Sequence, residues 1–201
     1  MTKKLKYAAI AISCVFACAG LAAITASAAT PADSAKATAK TKTTATKLSD
    51  SDFAKAAAEG GFAEVRFGEL AEDRASNKTV KDLAERMVTD HTKADDSLKT
   101  AASKDNISTP AQLDPKDQAT YAHLSQLSGA AFDRAYARDM VRDHETDVAL
   151  FRHEATDGKD ASIKSFAAQT LPTLEYHLKL ARQALESVSP KTAAKTTKKQ
   201  S

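Results

Sequence analysis

Residues 87–91 read Met-Val-Thr-Asp-His, and residues 140–144 read Met-Val-Arg-Asp-His. In an α-helix, side chains three or four residues apart lie on the same face. The Met and the Val of each repeat therefore share a face with the His, whereas the Asp beside the His lies about 100° away around the helix. This pattern predicts two long amphipathic helices, each carrying one imidazole into the protein core.

Apolar residues recur with helical spacing through most of residues 48–188, which predicts four long helices and one short helix. The long helices are expected to span about residues 52–75, 79–103, 130–156 and 161–188. Residues that begin or end helices divide the region: Ser49 or Ser51 as the first N-cap, Asn77 at a turn, Asp114-Pro115 at the start of the short helix, and Gly158 after the third long helix.

The composition agrees with an all-α fold. The chain of 201 residues contains 6 glycines, 5 prolines and no tryptophan, and no segment alternates apolar and polar residues as a strand does. Collagen-like, disulfide-scaffold and β-sandwich architectures are therefore excluded. Four long helices over residues 48–188 predict an up-and-down four-helix bundle with one extra short helix.

The first predicted helix carries small residues on one stripe, with glycines at positions 60, 61 and 68. A glycine inside a helix destabilises it by about 1 kcal/mol relative to alanine. We therefore expect these glycines to allow a neighbouring helix to approach closely.

Residues 1–28 predict an export signal. Three lysines at positions 3, 4 and 6 precede the apolar run of residues 8–23, and Ala26-Ser27-Ala28 provides the small-residue pattern of a cleavage site. Cleavage after Ala28 would make the protein periplasmic or secreted. Both cysteines, Cys14 and Cys18, lie in this segment, so the mature chain would contain no thiol.

Two alternatives to cleavage after Ala28 are less favoured. An uncleaved membrane anchor needs an apolar stretch of about 20 residues, and this run is shorter. A lipoprotein signal ending at Cys18 would need a small residue where Phe16 stands.

Charge divides the rest of the chain into an acidic domain and two basic tails. Residues 48–186 carry 18 basic and 25 acidic residues, a net charge of −7, whereas residues 29–47 carry +3 and residues 187–201 carry +4. The tails are rich in Ala, Thr and Lys, so we predict a disordered linker over residues 29–47 and a disordered tail over residues 189–201. We expect them to act as soluble spacers, with weak contact to an anionic envelope surface as the alternative. They lack aromatic residues on which bases stack, so no specific nucleic-acid binding is predicted. The sequence predicts no particular oligomeric state.

Four polar residues are predicted on the buried faces near the middle of the long helices: Glu64, His91, His144 and His177. In a bundle, mid-helix positions lie at similar heights, so the four side chains can converge. Three imidazoles and a carboxylate are a candidate metal site for a divalent transition metal such as zinc, copper, iron or manganese. The alternative is a buried hydrogen-bonded layer that only fixes the register of the helices.

Familiar catalytic motifs are absent from the sequence. His153-Glu154 begins like a zinc-protease motif, but Asp157 stands where the second histidine is required. No histidine has a carboxylate three residues before it, which excludes the diiron pattern of helical bundles. There is also no serine-hydrolase elbow or phosphate-binding loop, so no reaction is predicted. His123 and His153 are expected on the surface or at helix ends.

Several motifs in order resemble the DUF4142 family: AEGGFAEVRFGELA at 58–71, MVTDHTKA at 87–94, LSGAAFDRAY at 127–136, MVRDH at 140–144 and LPTLEYH at 171–177. The resemblance implies an exported bacterial protein with a ferritin-like helical bundle. It implies no activity, because the family is defined as a domain of unknown function. The positions matched in its motifs are Glu64, Asp90, His91, Asp143, His144 and His177.

Overall fold

Five α-helices make up the region that the computed structural model describes, residues 48–190. They are α1 (Asp50–Arg74), α2 (Lys78–Ser103), α3 (Pro115–Ser125), α4 (Gly129–Asp157) and α5 (Ala161–Val188). No strand occurs within residues 48–190. The predicted all-α bundle of four long helices and one short helix is confirmed. The predicted signal, the linker and the tail beyond Pro190 lie outside the described residues.

The predicted caps explain where the helices begin. Ser49, rather than Ser51, caps α1: its Oγ accepts a hydrogen bond from the backbone N–H of Asp52 at 3.1 Å. Asn77 Oδ1 accepts from the first turn of α2, and Asp114 Oδ1 accepts from the first turn of α3. Each side chain satisfies a backbone donor that would otherwise lack a partner. Among the described helices, none combines the length and apolar character that crossing a lipid bilayer requires.

Contacts at the two ends of the bundle establish the directions of the helices. Asp50, which begins α1, accepts a hydrogen bond from the backbone of Lys159 between α4 and α5. Asp133, near the start of α4, accepts from the backbone of Ser76 between α1 and α2. Helices α1 and α5 therefore run one way, and α2 and α4 run the other way. The connection over residues 104–128 contains α3 and returns the chain along the bundle, as the long crossover of a ferritin-like bundle does.

The four long helices pack as two pairs. Helix α1 packs mainly on α2, and α4 packs mainly on α5, while contacts of α2 with α5 and of α1 with α4 close the bundle. Helices α2 and α4 are thus diagonal neighbours that run in the same direction. Helix α3 lies against α1 and α4.

The buried apolar side chains form two separate clusters. Core A lies towards the α1–α2 turn and includes Phe67, Leu70, Val80, Leu83, Met87, Phe132, Tyr136 and Met140. Core B lies towards the α4–α5 turn and includes Phe53, Leu98, Val148, Phe151, Ile163, Phe166 and Leu174. Along α2, α4 and α5, one buried histidine separates the buried residues of core A from those of core B, and on α1 Glu64 lies beside Ala63, the first core A residue of that helix.

The glycines of α1 differ from one another. A Cβ at Gly68 would lie 2.7 Å from Val88 Cγ2, so this glycine does bring α1 close to α2. At Gly61, a Cβ would lie 2.2 Å from Asp95 Oδ1. At Gly60, however, a Cβ would meet nothing within 4 Å. The expectation of close approach is therefore wrong at Gly60, which borders open space.

Candidate metal centre

Glu64, His91, His144 and His177 form one buried layer between core A and core B, with one side chain from each long helix. Their exposed fractions are 3%, 4%, 0% and 0%. The repeats that end in His91 and His144 reach the same height because α2 and α4 run in the same direction and each histidine lies about half way along its helix. His123 and His153 are exposed, as expected.

The helix of His144 fixes the position of its ring proton. His144 Nδ1 lies 3.0 Å from the carbonyl oxygen of Met140, one turn earlier in α4. A carbonyl can only accept, so Nδ1 carries the proton and donates it. His144 Nε2 is left with an unshared electron pair.

The partner of His177 fixes the opposite tautomer. His177 Nε2 lies 2.9 Å from Asp90 Oδ2, and it donates to this carboxylate. Partial burial opposes ionisation of Asp90, but hydrogen bonds from His177 and Arg86 outweigh it and hold its pKa below the ordinary value. His177 Nδ1 is therefore unprotonated, and it lies 3.4 Å from His144 Nε2. Two electron pairs face each other across this distance.

His91 completes the set. Its Nδ1 lies 3.0 Å from Glu64 Oε2, whereas its Nε2 is buried and has no hydrogen-bond partner. One nitrogen from each of His91, His144 and His177 belongs to a group whose members all lie within 4.8 Å of one another. Within residues 48–190, no other group of three or more His, Cys, Asp or Glu side chains has such spacing.

Burial keeps the three imidazoles neutral. It lowers the pKa of His144 to about 3, with a further contribution from His177. It also lowers the pKa of His91 well below the usual value, and it lowers that of His177 despite the opposing effect of Asp90. Neutral imidazole is the form that binds metal ions.

Glu64 occupies a different position from the three imidazoles with which the sequence grouped it. Its Oε2 lies 3.0 Å from Nδ1 of His91, and its Oε1 lies 3.0 Å from Nδ1 of His144. For His144, the carbonyl of Met140 has the better hydrogen-bond geometry, and Glu64 Oε1 is left without a partner. Glu64 thus lies on the Nδ1 side of both rings, away from their Nε2 atoms. Burial, followed by the charge of Asp147, raises its pKa well above the usual value.

Asp90 is the residue whose role the sequence did not predict. It lies off the apolar face of α2, as its position beside His91 requires, but that direction leads to α5 and His177. Its counterpart in the second repeat, Asp143, lies 3.3 Å from Lys116 of α3 instead. The adjacent Asp-His pair was visible in the sequence, but the identity of the neighbouring helix was not.

Comparison with known protein families identifies the family of this chain. The family model described as "Domain of unknown function (DUF4142)" matches residues 34–184. The chain belongs to the DUF4142 family. The resemblance drawn from the sequence motifs is therefore confirmed. No curated protein matches this DUF4142 chain.

Two solved structures share the fold of the DUF4142 chain. The crystal structure of a DUF305 fragment from Deinococcus radiodurans has a TM-score of 0.60 at 16% identity, and the match covers 69% of this chain and 95% of that one. A DUF305 protein from Streptomyces coelicolor has a TM-score of 0.59 at 15% identity, with 70% and 92% covered. At such identities the likeness shows the helical fold alone.

Proposed function

We propose that this DUF4142 protein binds one transition-metal ion, most simply Zn²⁺, through His91 Nε2, His144 Nε2 and His177 Nδ1. One observation carries the proposal: one nitrogen from each of the three buried rings lies within 4.8 Å of the others, His144 Nε2 faces His177 Nδ1 at 3.4 Å, and His91 Nε2 has no hydrogen-bond partner. Buried polar atoms without partners are unfavourable. A bound cation would satisfy all three nitrogens at once.

The spacing supports a tetrahedral ion. Two nitrogens that bind zinc at about 2.0–2.1 Å and at the tetrahedral angle lie about 3.3 Å from each other. His144 Nε2 and His177 Nδ1 are 3.4 Å apart. Three imidazoles suit zinc and copper best among the common divalent ions, whereas magnesium and calcium prefer oxygen ligands.

The surroundings of the three rings also suit a metal ion. Glu64, the Met140 carbonyl and Asp90 each lie beside the ring nitrogen that would not bind the ion, and acceptors in such positions hold metal-binding histidines in one tautomer. The two carboxylates would balance the charge of a divalent ion, which is otherwise costly to bury. Three protein ligands leave one coordination position for water or an exchangeable ligand. We therefore propose a metal-handling role, and the sequence of residues 1–28 supports a location outside the cytoplasm.

Metal analysis of the purified protein tests the proposal. The chain used begins at Ala29, the start that N-terminal sequencing of the exported protein should return. After chelator treatment and incubation with zinc, we expect one zinc per chain by mass spectrometry, and a four-coordinate cobalt spectrum when cobalt replaces zinc. His91→Gln keeps a polar side chain in the layer but removes the ligand, so zinc binding should weaken at least a hundredfold. His153→Gln, at an exposed histidine, is the matched control.

The alternative function is a non-catalytic structural or interaction protein of the envelope. Three of the six ring nitrogens already have acceptors inside the protein, which favours a layer that fixes helix register. If the wild-type protein binds no zinc, copper, iron or manganese, and its melting temperature does not respond to them, this alternative replaces the metal-binding proposal.

A further inference from the structure

Two adjoining cavities lie beside Gly60 of α1. The inner cavity, of about 20 Å³, is lined by Glu64 and His91 of the polar layer and by Asp95. The outer cavity, of about 70 Å³, is lined by Lys116 of α3, whose side chain is 65% exposed. It therefore reaches the surface. The two cavities share three lining residues, Gly60, Glu64 and Asp147, so they adjoin at these residues.

Gly60 is placed at the junction of the two cavities. An added Cβ there would meet no atom within 4 Å, whereas Gly61 and Gly68 are closely covered by neighbouring side chains. Glycine inside a helix is less favourable than alanine. No close contact explains this glycine, but the missing side chain leaves room between the inner and outer cavities.

The lining of the two cavities suits a cation. Glu64 and Asp147 lie at the junction, and Asp117 and Asp143 line the outer cavity. Glu64 is 3% exposed and its Oε1 has no hydrogen-bond partner, and Nε2 of His91, a residue that lines the inner cavity, also has none. The inner cavity is large enough for one water, since a cavity needs about 10–15 Å³ to hold it. An entering ion would have to exchange its hydration water for these oxygen and nitrogen atoms.

We propose that the two cavities form the passage through which the metal ion reaches and leaves the histidine layer, which it meets at His91. The passage rests on the proposed function, because it serves the same site. Lys116, which lies 3.3 Å from Asp143 Oδ1 and 3.9 Å from Asp117 Oδ1, covers the outer mouth. The ammonium group has to move aside when a cation enters between α1, α3 and α4.

Exchange kinetics of zinc test the passage. Gly60→Leu adds a bulky side chain at the junction, where its Cβ would meet no atom within 4 Å, so we expect zinc loading and zinc release to a chelator to slow together, each at least tenfold. The dissociation constant should stay within threefold of the wild-type value, because an obstacle slows both directions equally. Lys55→Leu, which places the same side chain at an exposed position of α1, should exchange zinc at nearly the wild-type rates.

A second variant tests the passage independently of Gly60, at the outer cavity. Removing charge from the mouth with Asp117→Asn and Asp143→Asn together should slow zinc loading at least threefold and make the loading rate less sensitive to salt, because fixed negative charge attracts a cation. Wild-type exchange rates in Gly60→Leu would overturn the passage, as would faster release with unchanged loading. Either result leaves the zinc stoichiometry of the wild-type protein, and hence the proposed site, intact. A wild-type protein that binds no metal would instead overturn both.

Discussion

At the scale of single residues, Glu64 is expected to influence how tightly the polar layer binds a cation. Its carboxylate lies 3.0 Å from Nδ1 of both His91 and His144, so it can orient two rings without contacting an ion at their Nε2 atoms. Outer acceptors of this kind strengthen a ligand and fix its orientation.

We predict that Glu64→Gln retains one zinc per chain but binds it about 10–100-fold more weakly. The amide keeps the size of the side chain but loses the charge and one of the two acceptor oxygens. A competition titration against a fluorescent chelator measures the dissociation constant. Glu72→Gln, at an exposed position of α1, is the control. Complete loss of zinc from Glu64→Gln would make Glu64 a ligand, and unchanged affinity would deny it any role.

The sequence was sufficient to predict the convergence of Glu64 and the three histidines, because apolar neighbours at helical spacing determine which face is buried. It could not predict the ring tautomers, which depend on the Met140 carbonyl and on Asp90 from outside the apolar faces. It also could not distinguish Gly60 from Gly68, because the two differ only in what a neighbouring helix places opposite them.

At the scale of elements, the end of α4 places the buried carboxyl group of Glu154 beside Asp50 at the start of α1, where ionisation of that group is unfavourable. Glu154 is 4% exposed and its Oε1 has no hydrogen-bond partner. Burial, together with the carboxylate of Asp50, raises its pKa from 4.5 to about 7. The carboxyl group packs against Gly158, where a Cβ would lie only 2.2 Å from Glu154 Oε1.

This carboxyl group predicts a pH dependence of stability. The folded state holds the proton more tightly than the unfolded state, so the contribution of Glu154 is fully present below its unfolded pKa and is lost as the pH rises through about 7. Glu154→Gln, which mimics the protonated form, should therefore raise the melting temperature relative to wild type at about pH 8 and change it little at about pH 4. Thermal unfolding at both pH values measures this difference, with Glu72→Gln as the surface control. An equal effect at the two pH values would contradict the assignment.

Helix positions were predictable because caps and periodicity are local: each of the five predicted helices exists, with ends within a few residues of expectation. The crossover was less predictable. Periodicity gives the buried face of a helix but not its direction in space, so the parallel arrangement of α2 and α4 emerges only from contacts such as Asp133 with Ser76.

At the scale of the whole molecule, the polar layer joins two apolar cores that belong to all four long helices. An ion held by α2, α4 and α5 at this height would link core A to core B. A ligand that binds only the folded state stabilises it by mass action, by about 2.7 kcal/mol at a concentration 100 times the dissociation constant.

We therefore predict that zinc slows amide hydrogen exchange in both cores to the same extent, because one linked unit must open as a whole. Hydrogen exchange followed by mass spectrometry, with and without zinc, measures protection in segments of α2 on either side of His91. His91→Gln should show no effect of zinc. Protection confined to one core would mean that the ion stabilises one half of the bundle only.

The separation of core A from core B has a consequence for how such a chain can change over time. Effects of substitutions add when the residues share no neighbours. A substitution that changes side-chain volume in core B therefore requires compensating substitutions only in core B. The packing of core A can stay unchanged. The two ends of the bundle can drift, or be redesigned, as independent modules, provided that the histidine layer between them retains its partners.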